Sequence, residues 1–76
     1  MNHKHLQVGS VHIYFKVRET SEGYEHEIVL KTTDYKHTIL HGEGGIKEAQ
    51  LHAIDMALKL GLVSSEDAKE ATSKVG

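Results

Sequence analysis

The sequence predicts an α+β fold, in which a three-stranded antiparallel meander is followed by two helices and the first helix packs on one face of the sheet. Apolar residues recur at every second position in residues 11–18, which is the period of a half-buried strand. From residue 46 they recur at every third or fourth position, the period of an amphipathic helix. A chain of 76 residues is too short for two independent cores. We therefore expect one domain over residues 11–76, preceded by a flexible lead-in over residues 1–10.

The first two strands are predicted over residues 11–18 and 24–32. The polar stretch between them ends in Gly23, as a hairpin loop often does. The second strand carries Ile28, Val29 and Leu30 in succession, and apolar residues on both faces are typical of a central strand.

The third strand is predicted over residues 36–41, after a turn near Asp34. A turn of two or four residues pairs even positions with odd ones. We therefore expect Ile39 to share the core face with Ile28, while Leu40 shares the outer face with Val29.

Two helices are predicted over residues 46–60 and 65–74. The first carries a broad apolar stripe and is followed by Gly61, a residue that commonly ends helices. Ser64 or Ser65 is the expected N-cap of the second helix. Because the second helix has only a thin apolar stripe, we expect it to dock weakly.

Charge and composition narrow the possible partners and the expected location. Nine Lys and Arg against eleven Asp and Glu give a formal charge of −2, which disfavours gripping duplex nucleic acid through its phosphates. Protonation of all seven histidines would change −2 to +5, so the charge should change sign below neutrality. The chain has no Cys, and we see no apolar run long enough to span a membrane. We expect a cytoplasmic protein without a membrane partner.

No catalytic constellation is evident in the sequence. The serines fall in predicted loops, caps or a helix end, without a nucleophile motif around them. The glycine-rich turn at residues 42–45 is not followed by the Lys-Ser/Thr of a phosphate-binding loop. We expect a non-enzymatic protein without a cofactor.

Two histidines are weak candidates for a metal site. A two-residue turn around residues 33 and 34 would place His26 opposite His41, close enough to share an ion. A zinc site needs three or four ligands, so we expect solvated or edge histidines rather than a metal site.

The outer face of the sheet is the strongest candidate for partner binding, because a single covering helix leaves it open. Apolar, aromatic and basic side chains are predicted there: Tyr14, Lys16, Arg18, Val29, Lys31 and Leu40. Such a face could form a homodimer. It could also bind another protein, for which the chain would be an adaptor or an inhibitor. Aromatic and basic residues can also bind nucleic acid, and a plain solvated face is a further alternative.

The segment from residue 36 to residue 60 resembles the C-terminal half of double-stranded-RNA-binding domains. The likeness lies in the glycine-spaced turn, the helix start Ile46-Lys47-Glu48-Ala49, and Ala53 and Ala57 at spacing four. It implies that Lys47 touches phosphate, and Lys16, Arg18 and Lys31 would be the other nucleic-acid contacts. Residues 1–10 are too short for the N-terminal helix of that family.

The same helix is similar to the first helix of ribonuclease H-like folds, which also follows three antiparallel strands. In that alignment the catalytic Glu of the family falls on Gln50, and residues 11–17 offer no Asp for the first strand. The resemblance therefore implies a degenerate fold without two-metal nuclease chemistry.

Overall fold

A four-stranded antiparallel sheet and two helices make up the molecule. The computed structural model describes the backbone of residues 2–75 and the side chains of residues 5–75. The elements in chain order are β1 (Asn2–Val8), β2 (Val11–Thr20), β3 (Gly23–Lys31), β4 (His37–Glu43), α1 (Ile46–Lys59) and α2 (Ser65–Ser73). The strands lie in the order β1-β2-β3-β4, so each one pairs with its sequence neighbour. The α+β class is confirmed.

The expectation of three strands is wrong, because β1 precedes them within the predicted lead-in. It pairs with β2 through the two-residue turn Gly9-Ser10, with Val8 opposite Val11. Gly9 has a φ of 58°, and a type II′ hairpin turn reserves its first central position for glycine. Val8 is buried in the core, so burial of its side chain helps to hold β1 in the sheet.

The core lies between one face of the sheet and the two helices. Its largest fully buried side chains are Phe15, Ile13, Ile28, Leu30, Val8 and Val11. The small residues Ala49, Ala53 and Ala57 bring α1 close to the sheet and are fully buried. The helix α2 adds Ala68 and Ala71 to the same core. No helix within residues 2–75 is long and apolar enough to cross a membrane.

The hairpin between β3 and β4 differs from the prediction by one residue of register. Its loop has five residues, between Lys31 and His37, so odd positions pair with odd ones and Val29 lies opposite Ile39. Tyr35 in this loop has a φ of 63°, a conformation that non-glycine residues rarely adopt. The predicted faces of Ile39 and Leu40 are therefore wrong and are exchanged. Leu40 packs against the core, and Ile39 is 59% exposed on the other face.

Side-chain hydrogen bonds shape the loop ends. The Thr32 hydroxyl donates to the Asp34 carboxylate, and this bond lowers the pKa of that carboxyl below its usual 3.8. Ser64 is the N-cap of α2, and its hydroxyl accepts a hydrogen bond of 3.1 Å from the Asp67 backbone N–H. The predicted cap of the second helix is confirmed at Ser64.

Candidate functional site

The face of the sheet that points away from both helices is the candidate site, and we call it the open face. Its side chains follow from the alternation of each strand, since the positions between the core residues point outward. Those described are His5, Gln7, His12, Tyr14, Lys16, Arg18, Glu25, Glu27, Val29, Lys31, His37, Ile39, His41 and Glu43.

Apolar side chains cross the middle of the open face. Strand pairing places Tyr14 opposite Val29, and Val29 opposite Ile39. Tyr14 is 42% exposed and Ile39 is 59% exposed, while Val29 is half-buried between them. This row is the apolar centre of the face.

Aromatic and cationic neighbours hold the Tyr14 ring in place. The His5 ring lies 4.8 Å from it, centroid to centroid, and the Lys31 ammonium lies 5.5 Å from its centroid. His5 also stacks on His12, with a distance of 3.1 Å between His5 Nε2 and His12 Nδ1. Because these contacts restrain the ring before any partner arrives, Tyr14 would lose little conformational freedom on binding.

Charged residues lie at two successive levels beside the apolar row. At the nearer level, Lys16 on β2 is opposite Glu27 on β3. At the next level, Arg18 on β2 is opposite Glu25 on β3, and the two side chains form an exposed ion pair. At both levels, therefore, β2 carries the cation and β3 carries the anion.

A shallow depression of about 390 Å³ lies at the charged end of the open face. Its lining consists of the open-face residues Lys16, Arg18, Glu25, Glu27 and His41, together with His26 and Gly42, the intervening pair of β3 and β4. The apolar row and the depression together form one continuous surface for a partner.

Five of the six partner-binding residues predicted from the sequence lie together on this face: Tyr14, Lys16, Arg18, Val29 and Lys31. The sixth, Leu40, is a wrong prediction, since the five-residue loop turns it into the core. Ile39 takes its place. His5 and Gln7 were not predicted from the sequence, although their alternation with Leu6 and Val8 is the signal for β1.

The expected pairing of His26 with His41 is also wrong. His26 lies opposite Gly42, which puts His26 on the core side and His41 on the open face. His26 is 4% exposed, and its Nε2 lies 2.9 Å from Nδ1 of His52 on α1. Its Nδ1 lies 3.2 Å from the Gly44 carbonyl oxygen, to which it can donate. The pair therefore links β3 to α1 and to the turn before it.

The residues proposed to contact nucleic acid are divided between the two layers. Lys16, Arg18 and Lys31 lie on the open face, whereas Lys47 lies in the first turn of α1, which packs on the opposite face. Arg18 already pairs with Glu25. The geometry does not gather the four cations on one surface, and nucleic-acid binding stays a prediction.

A second groove lies between α1 and α2. Its volume is about 500 Å³, and its walls include Leu51, Ile54, Leu58 and Ala68. The exposed Asp55 at its rim already pairs with Lys59 at 3.0 Å. The groove offers an apolar surface that serves as a comparison for the open face.

Comparison with known proteins gives no match for this chain: no family model fits it, and no curated protein or solved structure is significantly similar to it. Within the side chains of residues 5–75, no three His, Asp or Glu residues converge as metal ligands. Function must therefore be argued from the open face itself.

Proposed function

We propose that this chain is a small non-enzymatic binding module that forms a homodimer through its open face. The observation that supports this is the exposed row of Tyr14, Val29 and Ile39 on the face opposite the helices. Burying exposed apolar side chains of a sheet face against a second surface is favourable, because it removes them from water. A second copy supplies such a surface.

Charge on the open face supports a second copy as the occupant. Three described side chains are cationic and three are anionic: Lys16, Arg18, Lys31, Glu25, Glu27 and Glu43. With neutral histidines the face has no net charge, so two copies do not repel each other at neutral pH. A strongly acidic or basic partner has no comparable preference for it.

The size of the face sets the strength of the dimer. Strands spaced about 4.8 Å apart with a rise of about 3.3 Å per residue give four seven-residue strands a flat area of about 440 Å². Two copies thus bury about 900 Å² in total, and somewhat more because side chains protrude from the sheet. Stable specific complexes bury about 1,200–2,000 Å². We expect a reversible dimer that dissociates on dilution.

Sedimentation or light scattering over a range of concentrations tests this proposal. The mass should rise from 8.5 kDa toward twice that value as the concentration increases. The substitution Ile39→Asp should keep the chain monomeric, because it places a charge in the apolar row. The matched control is Leu58→Asp, which changes a 41% exposed leucine in the helix groove.

Circular dichroism should show that both variants remain folded, since both residues are exposed. A wild-type chain that stays monomeric at millimolar concentration would overturn the proposal. The same holds if Leu58→Asp abolishes association and Ile39→Asp does not, because the helix groove would then be the interface.

A further inference from the structure

The charges of the open face have a pattern that selects one way of docking two copies. At the level of Lys16 the neighbour on β3 is Glu27, and at the level of Arg18 it is Glu25. The sign of the charge therefore changes across the line between β2 and β3, and does so at two levels in the same sense.

From this pattern we infer that the dimer, whose existence rests on the proposed function, has its twofold axis parallel to the strands, over the line between β2 and β3. The twofold rotation keeps every residue at its own level along the strands and exchanges the two sides of the sheet about the line between β2 and β3. Strand β2 of each copy then lies over β3 of the other. This interface is isologous, since both copies use the same surface.

In this arrangement opposite charges meet across the interface. Lys16 lies over Glu27 of the second copy, and Arg18 lies over Glu25 of the second copy. The symmetry repeats both contacts, so each level holds two cations and two anions at alternating corners of a square. Each cation then has an anion beside it in its own sheet and another above it. Tyr14 meets Val29 of the second copy at the apolar level.

A twofold axis perpendicular to the strands, through the row of Tyr14 and Val29, brings fewer opposite charges together across the interface. It places Lys31 over Glu27 of the second copy, which is favourable. It also places His12 over Lys16, and it moves the level of Arg18 beyond the edge of the partner sheet. The axis parallel to the strands therefore satisfies more charges.

Facing residues of the two copies lie closest to each other where the two sheets stay in register. Aligned sheets cross at about 30°, so facing residues diverge with distance from the axis. Lys16, Glu27, Tyr14 and Val29 all lie on the two central strands, next to the axis. These four residues should form the centre of the interface, with His5, His37 and His41 at its rim.

Mixing of charge-reversed chains tests the arrangement. Lys16→Glu alone places Glu against Glu27 of the second copy, and Glu27→Lys alone places Lys against Lys16. For each variant alone, the dissociation constant of the dimer should be at least about tenfold higher than for wild type, because attraction becomes repulsion at two symmetric contacts. An equimolar mixture should form heterodimers with an affinity within about threefold of wild type. With one variant uniformly labelled with ¹⁵N, native mass spectrometry separates the three dimers by mass.

The mixture distinguishes contacts between copies from contacts within one chain. Lys16 and Glu27 are also neighbours in their own sheet, so each reversal places like charges within the chain. Mixing cannot relieve that repulsion, and rescue therefore reports on the interface alone. As a control, Lys69→Glu and Glu66→Lys change exposed charges on α2 and should leave the affinity unchanged, alone or mixed.

The two ways in which the result could be negative are distinct. A wild-type dimer that is insensitive to both reversals, or variants that mixing does not rescue, would overturn this docking arrangement and leave the proposed homodimer intact. A wild-type chain that is monomeric at every concentration would overturn both.

Discussion

Replacing Gly42 with alanine should destabilise the fold by disrupting the buried histidine pair. A Cβ at this position would lie 2.5 Å from Nε2 of His26 and 3.0 Å from Nδ1 of His52. These two nitrogens are the ones that lie 2.9 Å apart in the pair. Nδ1 of His26 is also occupied, by the Gly44 carbonyl, so the ring cannot move aside without losing a hydrogen bond. Gly42 is thus required by the close approach of the two rings.

The expected cost follows from two effects that overlap. Overpacking a buried site costs about 1–3 kcal/mol, and a buried polar group left without its hydrogen bond costs about 1–3 kcal/mol. We expect Gly42→Ala to lower the free energy of unfolding by about 2–4 kcal/mol. A domain of this size has about 4–11 kcal/mol in total, so the variant should remain folded but only marginally.

Urea unfolding followed by far-ultraviolet circular dichroism measures this change, since the chain has no Trp for fluorescence. The matched control is Gly45→Ala, where the nearest heavy atom to the new Cβ is Glu48 Oε1 at 3.7 Å, an ordinary contact. As a change at the N-cap of α1, it should cost at most about 1 kcal/mol.

A double-mutant cycle gives the decisive result. If the cost arises at the histidine pair, Gly42→Ala should have little further effect in a chain that already carries His26→Ala. Equal costs for Gly42→Ala and Gly45→Ala, or an unchanged cost in the His26→Ala background, would show that the histidine pair is not the source of the cost.

One further prediction concerns the β3–β4 loop. Tyr35→Gly should raise the free energy of unfolding by up to about 1 kcal/mol, because the left-handed backbone costs about 1–2 kcal/mol for a residue with a Cβ; a lower urea midpoint than wild type would contradict this.

The sequence was sufficient to predict the elements in which the apolar period repeats over many residues. Val11, Ile13, Phe15 and Val17 define β2 by alternation, and their burial confirms the predicted core face. The strand β1 was missed because only Leu6 and Val8 mark its apolar side. The turn Gly9-Ser10 was the additional signal that could have revealed it.

The wrong placements of Leu40 and His41 have a single physical cause. Strand side chains alternate, so a loop of five residues instead of two or four reverses the face of every residue after it. This exchange moved Leu40 into the core and separated His41 from His26. The loop contains Tyr35 at positive φ, which propensity does not anticipate in a residue of this type. The contact between His26 and His52 depends on how α1 crosses the sheet, which no local pattern encodes.

The strand order has a consequence for how the chain reaches its folded state. Each strand pairs with its neighbour in sequence, so the sheet forms through short hairpins, and short loop closures favour rapid folding. Coverage of the sheet by the helices is less local, because α2, which follows all four strands, packs against β1, and Gly9 lies close to Asp67 and Val63. Of the four strands described, β1 is therefore fully covered only once α2 has folded.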